Sequence, residues 1–301
     1  MRRFIVGLLL TTAALAGGQT LGFSVRSANV TGTYSPDSWL TVVSTMTIRH
    51  TGAACSYFIT FSAGNSGVFT TRTATNGANS LNYQIYDISN KNVLEDLSAN
   101  PSSANVLNGH FATGTGTQIQ TFTSYFAASQ LPVAGTYADS ITMNIYIGTV
   151  SSHGASVGTR AFSVSTTVPI LLDIAIVPTG SPFNVTNVSM TFNFGTLSTG
   201  QNLSADLIVR SNYLNTVTAT STNGQVLLNT IPGDTSQIPY TFSFNRVGIT
   251  LPKATAVKVI TSQPATPPSG KRCPMSVTIG TVGFVSAATY SDIITFTATA
   301  N

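Results

Sequence analysis

The sequence predicts an all-β protein made of two β-sandwich domains, and three observations carry that expectation. Short runs rich in β-branched and aromatic residues alternate apolar and polar positions with period two, separated by Gly, Asn, Ser and Pro. No stretch beyond the first sixteen residues offers an amphipathic helix longer than two turns. A strand-entry motif of the first half also reappears in the second half, as Ala134-Gly135-Thr136-Tyr137-Ala138-Asp139-Ser140-Ile141-Thr142 and Ala287-Ala288-Thr289-Tyr290-Ser291-Asp292-Ile293-Ile294-Thr295.

The chain opens with Met1-Arg2-Arg3, an apolar run from Phe4 to Leu15, and small residues at Ala14 and Ala16. These are the marks of a secretory signal peptide over residues 1–16, and the run is too short to span a bilayer. The mature chain is therefore expected in the periplasm or outside the cell. Only 13 Lys and Arg and 9 Asp and Glu stand among 301 residues, 7% charged against about 25% in an ordinary soluble domain. So few charges leave no phosphate-tracking surface and little acid–base chemistry, which argues against a nucleic-acid binder and against an enzyme. Disorder is excluded by 42% hydrophobic and 9% aromatic residues.

Along the mature chain the clearest strands are Tyr57 to Phe61, Leu81 to Tyr86, Ile141 to Ile147, Asp206 to Arg210 and Ile294 to Ala300. In the last, Ile294, Phe296, Ala298 and Ala300 share one face and Thr295, Thr297 and Thr299 the other, as in a half-buried sandwich strand. The repeat places the domains at 17–160 and 161–301. Tyr137 and Tyr290 are expected to act as corner clamps, each hydroxyl bonding backbone upstream, and Asp139 and Asp292 to bond turn backbone.

Catalytic patterns are weak. His50, His110 and His153 have no metal-ligand spacing and read as solvated loop or strand-end residues; no Gly-x-Ser-x-Gly elbow stands between a strand and a helix. Glu95-Asp96 reads as a solvated pair rather than glycosidase carboxylates, and Pro264 to Pro268 as a wrapping loop. No metal or cofactor is expected.

Several segments together resemble the spore coat protein U domain family, which builds subunits of archaic chaperone-usher pili. Ala161 to Val168 is similar to its N-terminal donor segment, Phe192-Asn193-Phe194-Gly195-Thr196-Leu197 to its first-strand signature, Leu81 to Asp87 to its central strand, and the two Thr-Tyr-x-Asp strands to its terminal strand. The resemblance implies two immunoglobulin-like, pilin-type sandwiches, the C-terminal one lacking its last strand, with Ile294, Phe296 and Ala298 on the groove edge. It implies a periplasmic chaperone, an outer-membrane usher and the donor strand of an adjacent subunit as partners, a cell-surface location and no nucleic acid. The family's usual first- and second-strand cysteine pair is absent from both domains. Cys55 and Cys273 are left either as two thiols or as one interdomain bridge.

Phe162, Val164, Thr166 and Val168 alternate with polar residues, so this donor-like strand is expected to complete the first domain within the chain; the plainer reading is an ordinary first strand of the second. Only Gly17 to Thr31 precede Gly32-Thr33-Tyr34, similar to a first-strand end, which leaves no room for a free donor and resembles a two-domain tip adhesin. Gly22-Phe23-Ser24-Val25 nonetheless echoes Ala161 to Val164. Attachment to a biotic or abiotic surface is expected from loop residues Val68, Phe69, Phe111 and Phe126, although Phe and Tyr in a sandwich more often fill the core. The competing readings are a minor stalk or adaptor subunit and a free secreted carbohydrate-binding or hydrolytic β-sandwich.

Overall fold

The computed structural model describes residues 20–24, 29–112 and 115–301, with only the backbone described for 20–24. The expected signal peptide, 1–16, lies outside the described residues. Among the described residues the regular secondary structure is almost wholly strand, arranged in two domains.

The N-terminal sandwich begins with β1 (Thr20–Ser24), β2 (Val30–Thr33), β3 (Leu40–Thr51), β4 (Cys55–Phe61), β5 (Arg72–Asn76) and β6 (Asn79–Asp87). It continues with β7 (Leu107–Phe111), β8 (Gly116–Phe126), β9 (Gly135–Thr149), the short β10 (Ser152–His153) and β11 (Gly158–Val168). One sheet runs β1-β3-β8-β6 and is antiparallel throughout. The facing sheet runs β7-β4-β9-β11-β2, in which the β11–β2 pair is parallel. Strand β5 closes one side by pairing with β6 and meeting β9 at Thr75 and Ala138.

Period-two alternation sets the inner faces. In β3, Met46 and Ile48 are buried while Thr45 and Arg49 are exposed. Three phenylalanines from three strands meet in the centre: Phe122 lies 5.1 Å from Phe61 and 5.2 Å from Phe162. Arg72 is buried too, donating to the carbonyls of Ser62 and Leu94 and to the Gln84 side chain, which pins the loop after β4. His50 departs from the solvated reading of the sequence. It is fully buried, its Nε2 2.8 Å from the Ala53 carbonyl and its ring stacked on Phe111.

The C-terminal sandwich holds β12 (Leu172–Pro178), β13 (Asn202–Ser211), β14 (Asn215–Ser221), β15 (Val226–Asn229) and β16 (Gln237–Phe244). After these come β17 (Val247–Ile249), β18 (Val257–Gln263), β19 (Lys271–Ile279), β20 (Tyr290–Ser291) and β21 (Ile294–Ala300). One sheet runs β12-β13-β19-β16-β15-β20, with β17 on β16, and the other β18-β14-β21. The Pro264 to Pro268 loop is tied to the end of β13, where the Thr266 amide donates to the Ser211 carbonyl and the Ser211 amide to Thr266 Oγ1.

Strand β11 straddles residues 160 and 161, the expected boundary, and lies against the first core, so only 169–171 separate it from β12. Across this junction Arg210 of β13 pairs with Asp37 at 2.8 Å and with Asp173 at 2.7 Å, its guanidinium over the Phe183 ring. Cys55 belongs to the first core and Cys273 to the second, and both are free thiols.

Candidate functional site: an open strand groove

The two copies of the repeated motif build the same corner in each sandwich. Tyr137 Oη donates to the Val133 carbonyl at 2.7 Å and Tyr290 Oη to the Ser286 carbonyl at 2.8 Å. Asp139 accepts from Tyr83 Oη at 2.7 Å and from the Asn65 amide at 2.9 Å. Asp292 accepts from Tyr240 Oη at 2.6 Å, from the Asn223 amide at 3.0 Å and from Ser221 Oγ at 2.5 Å. Asn65 and Asn223 each return a side-chain bond to the carbonyl of the residue before the aspartate. Burial first, and the aspartate beside them second, push the Tyr83 and Tyr240 hydroxyls well above the ordinary tyrosine range. The corner therefore aligns β9 with β21.

What lies beside those two strands differs. In the first sandwich β11 runs antiparallel to β9 over its whole length, with Phe162 opposite Ile141, Val164 opposite Asp139 and Thr166 opposite Tyr137. Its other edge takes β2 in parallel, with Gly32 opposite Thr166. Phe162, Val164, Thr166 and Val168 are all buried among residues of both sheets.

In the second sandwich β21 pairs with β14 alone. The segment with the first-strand signature forms no ladder, and among the described residues 189–193 make no backbone–backbone hydrogen bond. It is nonetheless shaped as a strand: Met190, Phe192 and Phe194 turn inward, half-buried, while Thr191 and Asn193 are exposed. Between it and β21 lies an apolar groove of about 140 Å³, lined by Met190, Phe192, Phe194, Phe242, Ile294 and Phe296, which continues into a wider cleft near Val285. Ala298 stands in the same half-buried row of β21 as Ile294 and Phe296. Residues 190–194 and β21 thus face each other across an open apolar groove, where β9 of the first sandwich has β11 beside it.

The profile of the Spore Coat Protein U domain matches residues 11–144. No curated protein matches the chain. Among solved structures the chain is similar to CsuE, the chaperone-bound tip adhesion subunit of the archaic Csu pili of Acinetobacter baumannii, at 13% identity over 90% of this chain and 99% of that one, TM-score 0.43. It is similar to the CupB6 tip adhesin of Pseudomonas aeruginosa at 11% identity over 92% and 93%, TM-score 0.37. A third likeness is to CfaE, the adhesive subunit of CFA/I fimbria of enterotoxigenic Escherichia coli, at 13% identity over 94% and 81%, TM-score 0.30.

The attachment residues expected in the first domain, Val68, Phe69, Phe111 and Phe126, do not come together. Phe111 is 4% exposed and packs on His50 and Tyr57 at the end of the sandwich remote from residue 169. Phe126 is fully buried on Tyr83 at the opposite end of β8. Both occupy inward positions of alternating strands, so neither reaches a surface. Val68 is half exposed, and the ring of Phe69 lies 5.3 Å from the Arg72 guanidinium on the flank of the domain. Sequence reasoning overlooked Trp39, 59% exposed just ahead of β3. Its signal was the placement of a lone tryptophan before a strand whose outward positions are mostly threonine.

Proposed function

We propose that the chain is a subunit of a chaperone-usher pilus, placed at the fibre tip, that joins the fibre by accepting a strand in its C-terminal sandwich. The observation that carries this reading is the contrast between the two domains: β11 occupies the space beside β9, whereas the equivalent space beside β21 is open and apolar. A free strand edge next to exposed apolar side chains is an invitation to β-strand addition. A periplasmic chaperone would supply the first strand and a neighbouring subunit its replacement, with an outer-membrane usher exporting the product. The match of residues 11–144 to the Spore Coat Protein U domain supports the fibre context. Tip placement is supported by β1, whose five residues pair with β3 of their own domain and are engaged there. Donation of this segment to a neighbour would favour the adaptor reading instead. Attachment would fall to exposed loops of the first domain, Val68 among them.

The test is thermal unfolding of the full chain, exported to the periplasm, with and without a synthetic peptide of residues 158–168. That peptide is this chain's own filler of the equivalent groove. The expected result is a monomer in which the C-terminal transition alone rises by about 10 °C at saturating peptide. A stable monomer whose transitions ignore both the peptide and any periplasmic chaperone would sink the pilus reading in favour of a free secreted sandwich.

A further inference from the structure

The outer face of the β3-β8-β6 sheet carries an aromatic platform that has no part in strand acceptance. Trp39 is the only tryptophan of the chain. Its ring stacks on Tyr125 of β8 with centroids 4.6 Å apart and planes 27° apart, and Tyr86 of β6 meets Tyr125 edge-on at 6.2 Å. Register places Thr41 beside Tyr125, and both Val43 and Tyr86 beside Thr123, which is itself buried, so Thr41, Val43, Tyr86 and Tyr125 lie in adjoining rows on one face. Val43 is 59% and Ile119 70% exposed on the same face, between the exposed or half-exposed threonines Thr41, Thr45, Thr47 and Thr121.

An exposed tryptophan is unusual, because burying its ring is among the largest single gains open to a fold. A contiguous apolar face of this kind on a soluble domain marks a contact site. Its chemistry narrows the ligand. Around the rings, outward positions from Thr41 to Thr47 and from Ile119 to Tyr125 carry no charge, Arg49 standing opposite Thr117 at the far end of the face, which disfavours phosphorylated or acidic ligands and nucleic acid at the platform. Aromatic faces are negative, and the flat face of a pyranose presents polarised C–H groups that match them. Threonine hydroxyls around the rings both donate and accept, as sugar hydroxyls require and as a purely apolar material does not. The platform lies on the outer face of a sheet, where outward side chains recur about every 6.7 Å along a strand. A periodic, open face suits an extended chain better than one enclosed sugar.

We propose that the Trp39–Tyr125–Tyr86 platform binds a neutral linear polysaccharide by stacking a pyranose ring on the free face of Trp39. This holds whether or not the C-terminal groove accepts a strand.

Because Trp39 is the sole tryptophan, its emission reports on the site directly. Cellohexaose and chitohexaose are titrated into the full chain, and retention on cellulose and chitin is measured in parallel. The expected result is a saturable change in emission with at least one hexaose and retention on the matching polymer. Trp39→Ala should weaken retention about tenfold, Trp39→Phe should restore part of it, and both should leave the unfolding profile unchanged. Thr41→Lys, which puts a charge beside Tyr125 and leaves the tryptophan in place, should also weaken it. Unchanged emission with both sugars, together with equal retention of the native chain and Trp39→Ala, would overturn the proposal. So would Trp39-dependent retention on polystyrene with none on either polysaccharide, since the face would then be a contact for apolar material.

Discussion

Asp139 and Asp292 show how one residue holds a corner. Each carboxylate gathers a buried tyrosine hydroxyl and a loop amide, bonds that lose their acceptor together if the side chain is removed. Asp139→Ala should cost the N-terminal domain about 3 kcal/mol in chemical denaturation, and Asp292→Ala should cost the C-terminal domain a similar amount without touching the first. The tyrosines add a pH dependence. Their folded hydroxyls ionise above the ordinary value of 10.0 that holds in the unfolded chain. The stabilisation is therefore complete below about pH 10 and falls as pH rises beyond it, because the unfolded chain releases the proton first. Alkaline titration of unfolding should show this loss in both domains, and Tyr83→Phe should reduce it in the first alone, where Tyr34, Tyr57 and Tyr137 are raised by burial as well. At this scale the sequence was informative where a motif recurred, and misleading at Phe111 and Phe126. There a loop-like neighbourhood of Gly, Asn and Ser concealed strand ends that face inward.

At the scale of elements, the instructive strand is β11. Its alternation was legible, with Phe162, Val164, Thr166 and Val168 on one face, but alternation cannot say which sandwich a strand completes. Pairing with β9 through eleven residues places that face in the first core. Phe162→Ala should therefore destabilise the N-terminal domain by about 3–5 kcal/mol while leaving C-terminal unfolding unchanged, as resolved by calorimetry. The Phe192 to Leu197 segment is the converse case. Its sequence reads as a strand and its side chains alternate as one, yet it forms no ladder, because a strand exists as hydrogen-bonded structure only when a partner edge is present. Phe296→Asp, which sets a charge in the groove, should abolish the stabilisation given by a residue 158–168 peptide while leaving the first domain's transition where it was.

For the whole molecule, the joint between the domains is a short segment, 169–171, reinforced by Arg210 reaching Asp37 on one side and Asp173 on the other. Asp37 is more than half exposed, so the pair is worth only about 1 kcal/mol or less and is weakened by salt. Asp37→Ala should leave both unfolding transitions nearly unchanged but widen the distribution of domain orientations seen by small-angle X-ray scattering, as high salt should for the native chain. By itself the sequence determined the all-β class, the repeated corner and the donor-like strand, because side-chain period and turn chemistry are local properties written residue by residue. Tertiary structure decided between the two readings of β11 by seating it in the first sandwich, and it alone showed that Phe111 and Phe126 are core and that Trp39, Tyr125 and Tyr86 share a surface. Each of these depends on which edges and faces meet across long stretches of chain, and no local pattern encodes that meeting.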